Sequence, residues 1–193
     1  MGERRSFWAW CMESEEPTDA DRAALAARLS DRYATAITAA PVPRAEDAEL
    51  RAPRISVPDR LSAWCEISTY ERAFHAYGAG FTDRTLAFNL QFPNPPDVVA
   101  HPRDEQELEV TLEWCDRNGY LAIPYGGGSS VVWGVNPPDD CGPCVTIALD
   151  RLDRVLEIDD VSRAARIQAG VLGPALEQQL KPSGHTLRHF PQS

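Results

Sequence analysis

Residues 124 to 130 read Pro-Tyr-Gly-Gly-Gly-Ser-Ser, between an apolar run and a run of valines. A glycine run after a strand lets the backbone reach positive φ and approach a ligand closely. Successive N–H groups can then converge on one anion. Ser129 and Ser130 add two hydroxyl donors. The types and spacing therefore suit a phosphate or pyrophosphate held by main chain. Two familiar phosphate motifs do not fit. A P-loop needs Gly-Lys downstream of the first glycine, and no lysine lies nearby. A dinucleotide fingerprint needs a third glycine where Val131 stands and a helix where Val-Val-Trp-Gly-Val-Asn-Pro-Pro follows. A flexible turn without a ligand remains the alternative reading of these residues alone.

Other chemical side chains are sparse. Cys141 and Cys144 form a lone Cys-x-x-Cys, while Cys11, Cys65 and Cys115 are scattered. A structural zinc would need a second pair or nearby histidines, so no metal is assigned. His75 lies beside an aromatic stretch and reads as a solvated or core-edge histidine. His185 and His189 invite an acid–base role, and Arg188 an anion contact. A structural or solvated part is the simpler reading for each, and no catalytic residue is assigned.

The chain has 193 residues, 43% apolar and 25% charged, as expected of a soluble globular protein. Its formal net charge of −10 argues against a general nucleic-acid surface. A local site for one anionic cofactor is still allowed, because backbone N–H groups carry no formal charge. Met1 to Glu16 has no apolar core of a secretory signal. No run of about 18 apolar residues exists to span a membrane. Together with an odd cysteine count, this predicts a cytoplasmic protein with reduced thiols. The closing Leu-Arg-His-Phe-Pro-Gln-Ser lacks a finished element, so a C-terminal truncation is expected.

The elements that must position the loop follow from periodicity. "FWAWC" near the start has no period and is expected to dock as an arm on the protein's own core. Thr18 to about Ala39 predicts a helix, with Thr18 and Asp21 as its capping box and Leu25, Leu29, Tyr33 and Ile37 as its stripe. Residues 41–58 carry several prolines and read as an irregular connection. Ser62 to Gly78 predicts a helix with Trp64, Ile67, Tyr70, Phe74 and Tyr77 on one face. Asp97–Ala100 predicts a strand. A helix follows from an Asp104 cap, with Leu108, Leu112 and Cys115 inward and Gly119 as its stop. Tyr120–Pro124 and Cys144–Asp150 predict two more strands. These short apolar strands without alternation suit a parallel sheet buried on both faces. From about Leu152 the pattern changes to two strands around Asp159–Asp160, an antiparallel pair, followed by a short helix from Pro174 to Leu180. The fold class is α+β, with an α/β first subdomain.

Several motifs occur in order at family spacing. They are "IPYGGGSSVVWGV", "VTIALDRLDRVLEID", and "RIQAGVLGPALEQQLKPSGHTLRHFPQS". From about Pro95 to Ser193 the chain resembles the FAD-binding, PCMH-type domain of the vanillyl-alcohol-oxidase-like flavoenzymes, above all the alkyldihydroxyacetonephosphate synthases and the bacterial FAD-linked oxidases near them. "STYERAFHAYGAG" upstream is similar to the synthase branch. The resemblance implies two regions: a helical and irregular one over 1–93 and an incomplete flavin domain over 94–193. It implies that FAD pyrophosphate is held at Pro124, Tyr125, Gly126, Gly127, Gly128, Ser129 and Ser130. It implies a second flavin-contacting stretch starting at Gln192 and Ser193, although the family usually has aspartate where Gln192 stands. No histidine lies in or beside the loop, which implies non-covalent FAD. The expected partners are FAD and a small-molecule or lipid-like substrate met through a C-terminal domain beyond this chain. A homodimer is compatible with this. The implied chemistry is synthase-like exchange on glycerone phosphate, or oxidation of a hydroxy acid or alcohol. A non-catalytic, incomplete fragment is the third expectation.

Overall fold

A computed structural model describes residues 4–190. Five α-helices and six β-strands are joined by short 3-10 turns. Helix α1 spans Asp19–Tyr33, and Thr18 caps it by accepting from the Asp21 amide at 3.2 Å. It stops five or more residues earlier than the stripe predicts. Ala34 turns left-handed (φ 49°), and Ser30 Oγ accepts from the Ile37 amide at 2.9 Å, folding the β-branched tail back. The predicted stripe is not a core face: Leu25, Tyr33 and Ile37 are exposed, and Ala26 is the buried residue of the helix.

The single helix expected over Ser62–Gly78 is broken into a short strand and a short helix. A 3-10 turn at Asp59–Leu61 leads to a two-residue strand β1, Cys65–Glu66, and then to a short helix α2, Thr69–Phe74. Ser68 starts α2 by accepting from the Glu71 amide at 3.3 Å. Its cap outcompetes a continuous helix because β1 gains a strand partner instead. Trp64 therefore leaves the predicted aromatic face and donates through its indole N–H to Thr111 Oγ1 at 3.0 Å. Tyr70, Phe74 and Tyr77 keep that face and pack with Phe7 and Phe92. Helix α3, Phe81–Phe88, follows at once.

The main sheet is built as expected for a parallel α/β layer. Strand β2 is Val98–Ala100, β3 is Leu121–Tyr125 and β4 is Cys144–Ala148. The order is β1-β2-β4-β3, with β4 parallel to both neighbours and β1 antiparallel to β2. Strands β2 and β4 are buried throughout, while the edge strand β3 alternates. Helix α4, Glu105–Asn118, crosses between β2 and β3; Asp104 caps it and Gly119 (φ 64°) ends it. Its buried face is Thr111, Trp114 and Cys115, and Leu112 faces solvent. Strands β5 (Val155–Asp159) and β6 (Ala164–Ile167) form the antiparallel pair, and α5 spans Gly173–Leu180.

One buried carboxylate fastens the sheet to the irregular connection. Asp97 has no exposed side chain and accepts from the Arg54 amide at 2.8 Å and the Cys144 amide at 2.9 Å. The guanidinium groups of Arg51 and Arg54 complete its shell. These two arginines hold its carboxyl well below the usual range, against the opposing effect of burial. Arg72, also buried, donates to the carbonyls of Pro96 at 2.7 Å and Arg51 at 2.7 Å.

Candidate functional site

The glycine loop leaves the end of β3. Tyr125, the last residue of that strand, is buried, and its carbonyl accepts from the Leu149 amide at 2.9 Å. Its hydroxyl donates to the Tyr77 carbonyl at 3.0 Å and lies 3.4 Å from that of Phe74. Burial pushes the Tyr125 phenol up to about 12, so it stays a neutral donor. The chain then turns through Gly128, which has φ 67°, a left-handed conformation that L side chains resist. A Cβ at Gly128 would fall onto the Tyr125 ring. Gly126 and Gly127 do not need positive φ, so the conformational demand sits on the third glycine.

The far side of the loop is clamped by residues before the sheet. The Ser130 carbonyl accepts from the Ala79 amide at 2.6 Å. A Cβ at Gly78 would collide with that carbonyl, so the two backbones meet closely. Asn136 bridges the Gly78 amide at 2.9 Å and Asp83 at 2.9 Å. Ser130 Oγ accepts from the Gly134 amide at 2.9 Å and closes a turn in which Trp133 is left-handed (φ 60°).

The residues proposed from the sequence are thus brought together from Pro124 to Ser130 as one loop. Pro124 and Ser129 are exposed, Gly126, Gly127 and Ser130 half-buried, and Tyr125 and Gly128 buried. Tyr125 points its side chain into the helical core and its main chain is engaged with β4, so it supports the loop and does not face a ligand. Gln192 and Ser193 lie outside the described residues. His185 is half-buried, with Nδ1 2.9 Å from the Ser183 carbonyl and Nε2 3.4 Å from Asp160 Oδ1. Arg188 and His189 are exposed.

Two features fit the loop to an anionic cofactor. Among the described residues, none of the backbone N–H groups from Gly126 to Val132 donates a hydrogen bond. The close turn at Gly128 has no room for a side chain, as a main-chain cradle requires. One guanidinium group touches the loop and a second lies on the Tyr125 side of it, and the sequence singled out neither. Arg5 Nη2 donates to the Gly127 carbonyl at 3.0 Å, and Arg84 is buried with Nη1 on the Phe7 carbonyl at 3.0 Å. Neither has a salt-bridge partner among the described residues.

A chain of titratable groups, buried at His75 and His101 and open to solvent at Asp150, supports the loop from the other side of Tyr125. His75 packs edge-on against the Tyr125 ring at 4.6 Å between centroids. Its Nδ1 is 3.2 Å from Glu71 Oε2, and His101 Nε2 reaches the same oxygen at 3.2 Å. His101 Nδ1 then meets Asp150 at 2.8 Å. Burial opposes charging of His101, yet bonds to Asp150 and Glu71 raise it to about 9. Glu71 is held down at about 2 by the two histidines despite its burial. His75 is therefore a buried core histidine in a hydrogen-bonded chain, and no group of metal-binding side chains occurs among the described residues.

Comparison with known proteins agrees with this architecture. An FAD binding domain model matches residues 96–193. Alkyldihydroxyacetonephosphate synthase from Dictyostelium discoideum is 33% identical over 122 residues, covering 63% of this chain and 20% of that protein. A solved alkyldihydroxyacetonephosphate synthase superposes with a TM-score of 0.72 at 28% identity, over 79% of this chain and 30% of the other. The mitochondrial D-lactate dehydrogenase (cytochrome) of Arabidopsis thaliana is 32% identical over 68 residues, 35% of this chain and 12% of that protein. The chain thus spans about a fifth of the length of the synthase it matches. No helix among the described residues is long and apolar enough to cross a membrane. By its motifs, its parallel sheet and this match, the chain belongs to the FAD binding domain family, and its cofactor is FAD.

Proposed function

We propose that this chain is the N-terminal part of an FAD-dependent enzyme of the alkyldihydroxyacetonephosphate synthase type, with Pro124–Ser130 as the cradle of the FAD diphosphate. The unpartnered N–H groups from Gly126 to Ser130 would hold the diphosphate oxygens, and the Ser129 hydroxyl is an added donor. Tyr125 keeps the cradle in place from below. FAD, when bound, supplies an electrophilic flavin ring that accepts electron pairs. Charge on the diphosphate is met by main chain, with the positive field of Arg5 behind the loop, so the acidic net charge of the chain is no obstacle. Substrate binding and the proton transfers of the reaction belong to chain beyond Ser193 in this reading, and no residue here is given a catalytic role.

The observation that carries the synthase reading is the extent of the likeness. The synthase match runs over 122 residues, more than the 98 from 96 to 193, so it includes part of the region before the flavin domain. The matches to enzymes named for lactate or glycolate run over 68 to 101 residues at 27–32% identity, shorter than the synthase match. Those shorter matches are what keep a hydroxy-acid dehydrogenase as the second reading, because one scaffold serves both chemistries. Two experiments decide. Titration of FAD into the purified chain should quench flavin fluorescence and leave yellow protein after gel filtration. No binding at high FAD would favour an incomplete, non-catalytic fragment. Assay of the whole gene product with acyl-glycerone phosphate and a fatty alcohol should give the ether product. Reduction of the flavin by a 2-hydroxy acid, with no ether formed, would replace the synthase reading with the dehydrogenase one.

A further inference from the structure

We propose that Arg5 is a positioning residue for the cofactor diphosphate: it fixes the orientation of the Gly127–Gly128 peptide and so the direction in which the Gly128 N–H is offered. This rests on the reading of the loop as the FAD cradle. Arg5 comes from the opposite end of the chain, 122 residues away, and its Nη2 donates to the Gly127 carbonyl at 3.0 Å. Its own backbone is fastened. The Tyr70 hydroxyl donates to the Arg5 carbonyl at 2.9 Å, Arg5 forms an antiparallel bridge with Met12, and the Ser6 amide donates to the Cys11 carbonyl at 2.9 Å. The guanidinium carbon lies 5.1 Å from the Phe74 ring centroid, which steers it towards the loop.

The peptide unit supplies the rest of the argument. In a planar trans peptide the carbonyl of Gly127 and the N–H of Gly128 point to opposite sides. Holding the carbonyl on the Arg5 side therefore turns the N–H to the other. That peptide lies between two glycines, so no Cβ on either residue resists its rotation. It is the linkage of the loop most open to flipping, and a flip would present a carbonyl oxygen to an anion. Arg5 has no carboxylate within salt-bridge reach among the described residues, so its donors are not diverted. Its charge also adds to the field that favours an anion at the loop.

The test compares Arg5→Ala and Arg5→Lys in this chain, followed by the Gly128 amide signal in nitrogen-15 NMR during titration with inorganic pyrophosphate and with FAD. The wild type should show a saturating shift at Gly128. Arg5→Ala should weaken both ligands about tenfold, with the melting temperature held within about 2 °C, and Arg5→Lys should recover most of the loss, because an ammonium can still reach the carbonyl. Unchanged affinity in Arg5→Ala overturns the proposal. So does a loss that follows a fall in melting temperature and is not recovered by lysine. Gly128→Val separates the two levels. If it binds pyrophosphate like the wild type, or if the wild type shows no shift, the cradle itself is wrong and Arg5 falls with it. If Gly128→Val abolishes binding while Arg5→Ala does not, only the role of Arg5 is lost.

Discussion

Gly127 and Gly128 are adjacent, yet a side chain would meet different obstacles at each. A Cβ at Gly127 stands 3.3 Å from the flexible end of Leu172 and needs no left-handed backbone. A Cβ at Gly128 meets the buried Tyr125 ring in a left-handed turn. We therefore expect Gly127→Ala to leave the melting temperature nearly unchanged. Gly128→Ala should cost at least about 1–2 kcal/mol, read by denaturant unfolding, and should reduce bound FAD. Equal stability of the two variants would contradict the turn. Cys141 and Cys144 form a similar contrast. Cys141 is half-buried, while Cys144 is fully buried in β4 beside Asp97. Cys141→Ser should be neutral, and Cys144→Ser should cost about 1–3 kcal/mol by taking a hydroxyl fully out of water. At this scale the loop was legible because its chemistry is local: glycine and serine types alone imply a main-chain cradle. The position of the left-handed turn within three identical residues was not, since nothing local distinguishes them.

Between elements, the two ionic clusters carry the testable energetics. The His75–Glu71–His101–Asp150 chain links α2 to the ends of β2 and β4. His101 is raised from 6.5 to about 9, so its stabilising effect is complete below about pH 6.5 and fades as pH rises through about 9. Glu71 is lowered from 4.5 to about 2, so its effect is complete above about pH 4.5 and fades as pH falls towards about 2. Unfolding free energy should therefore peak between about pH 4.5 and 6.5 with respect to this chain, and His101→Gln should flatten the alkaline limb. An alkaline limb identical in that variant would remove His101 as its source. Asp97→Ala should lose about 3–5 kcal/mol, because two arginines and two amides would be left facing an empty buried site. Helix α4 and the strands were readable from period and caps. Helix α2 and strand β1 were not, because a two-residue strand is set by its partner Val99–Ala100 and has no period of its own. The stripe of α1 misled for the same reason: period shows which residues share a face, and only packing shows whether that face is covered.

Over the whole molecule, the apolar surface is uneven. Val131, Val132 and Trp133 are all more than half exposed beside the loop, and Trp10 and Phe81 are exposed near the N-terminal arm. Such clustering promotes association of a free chain. Replacing Val131 and Val132 by threonine should lower self-association in light scattering at unchanged melting temperature. A mass that stays concentration-dependent in that variant would place the sticky surface elsewhere. The arm "FWAWC" was legible as docked on the core, as Phe7 and Trp8 show, but its guanidinium on Gly127 was not. A contact across 122 residues leaves no trace in spacing or composition.

The close approach of Gly78 to Ser130 has a consequence for inheritance. Position 78 is held to glycine by the main chain of residue 130, whatever side chain 130 carries, since any side chain at 78 displaces that carbonyl. Strand β1 and the Ala79 amide bind the same stretch to the flavin domain. A gene fusion or a shuffled library that exchanged residues 94–193 alone would deliver a donor's loop onto a recipient's mismatched floor. Crossovers that respect this seam must carry the segment from Arg5 to Arg84 along with the loop, so the block to be exchanged is larger than residues 94–193.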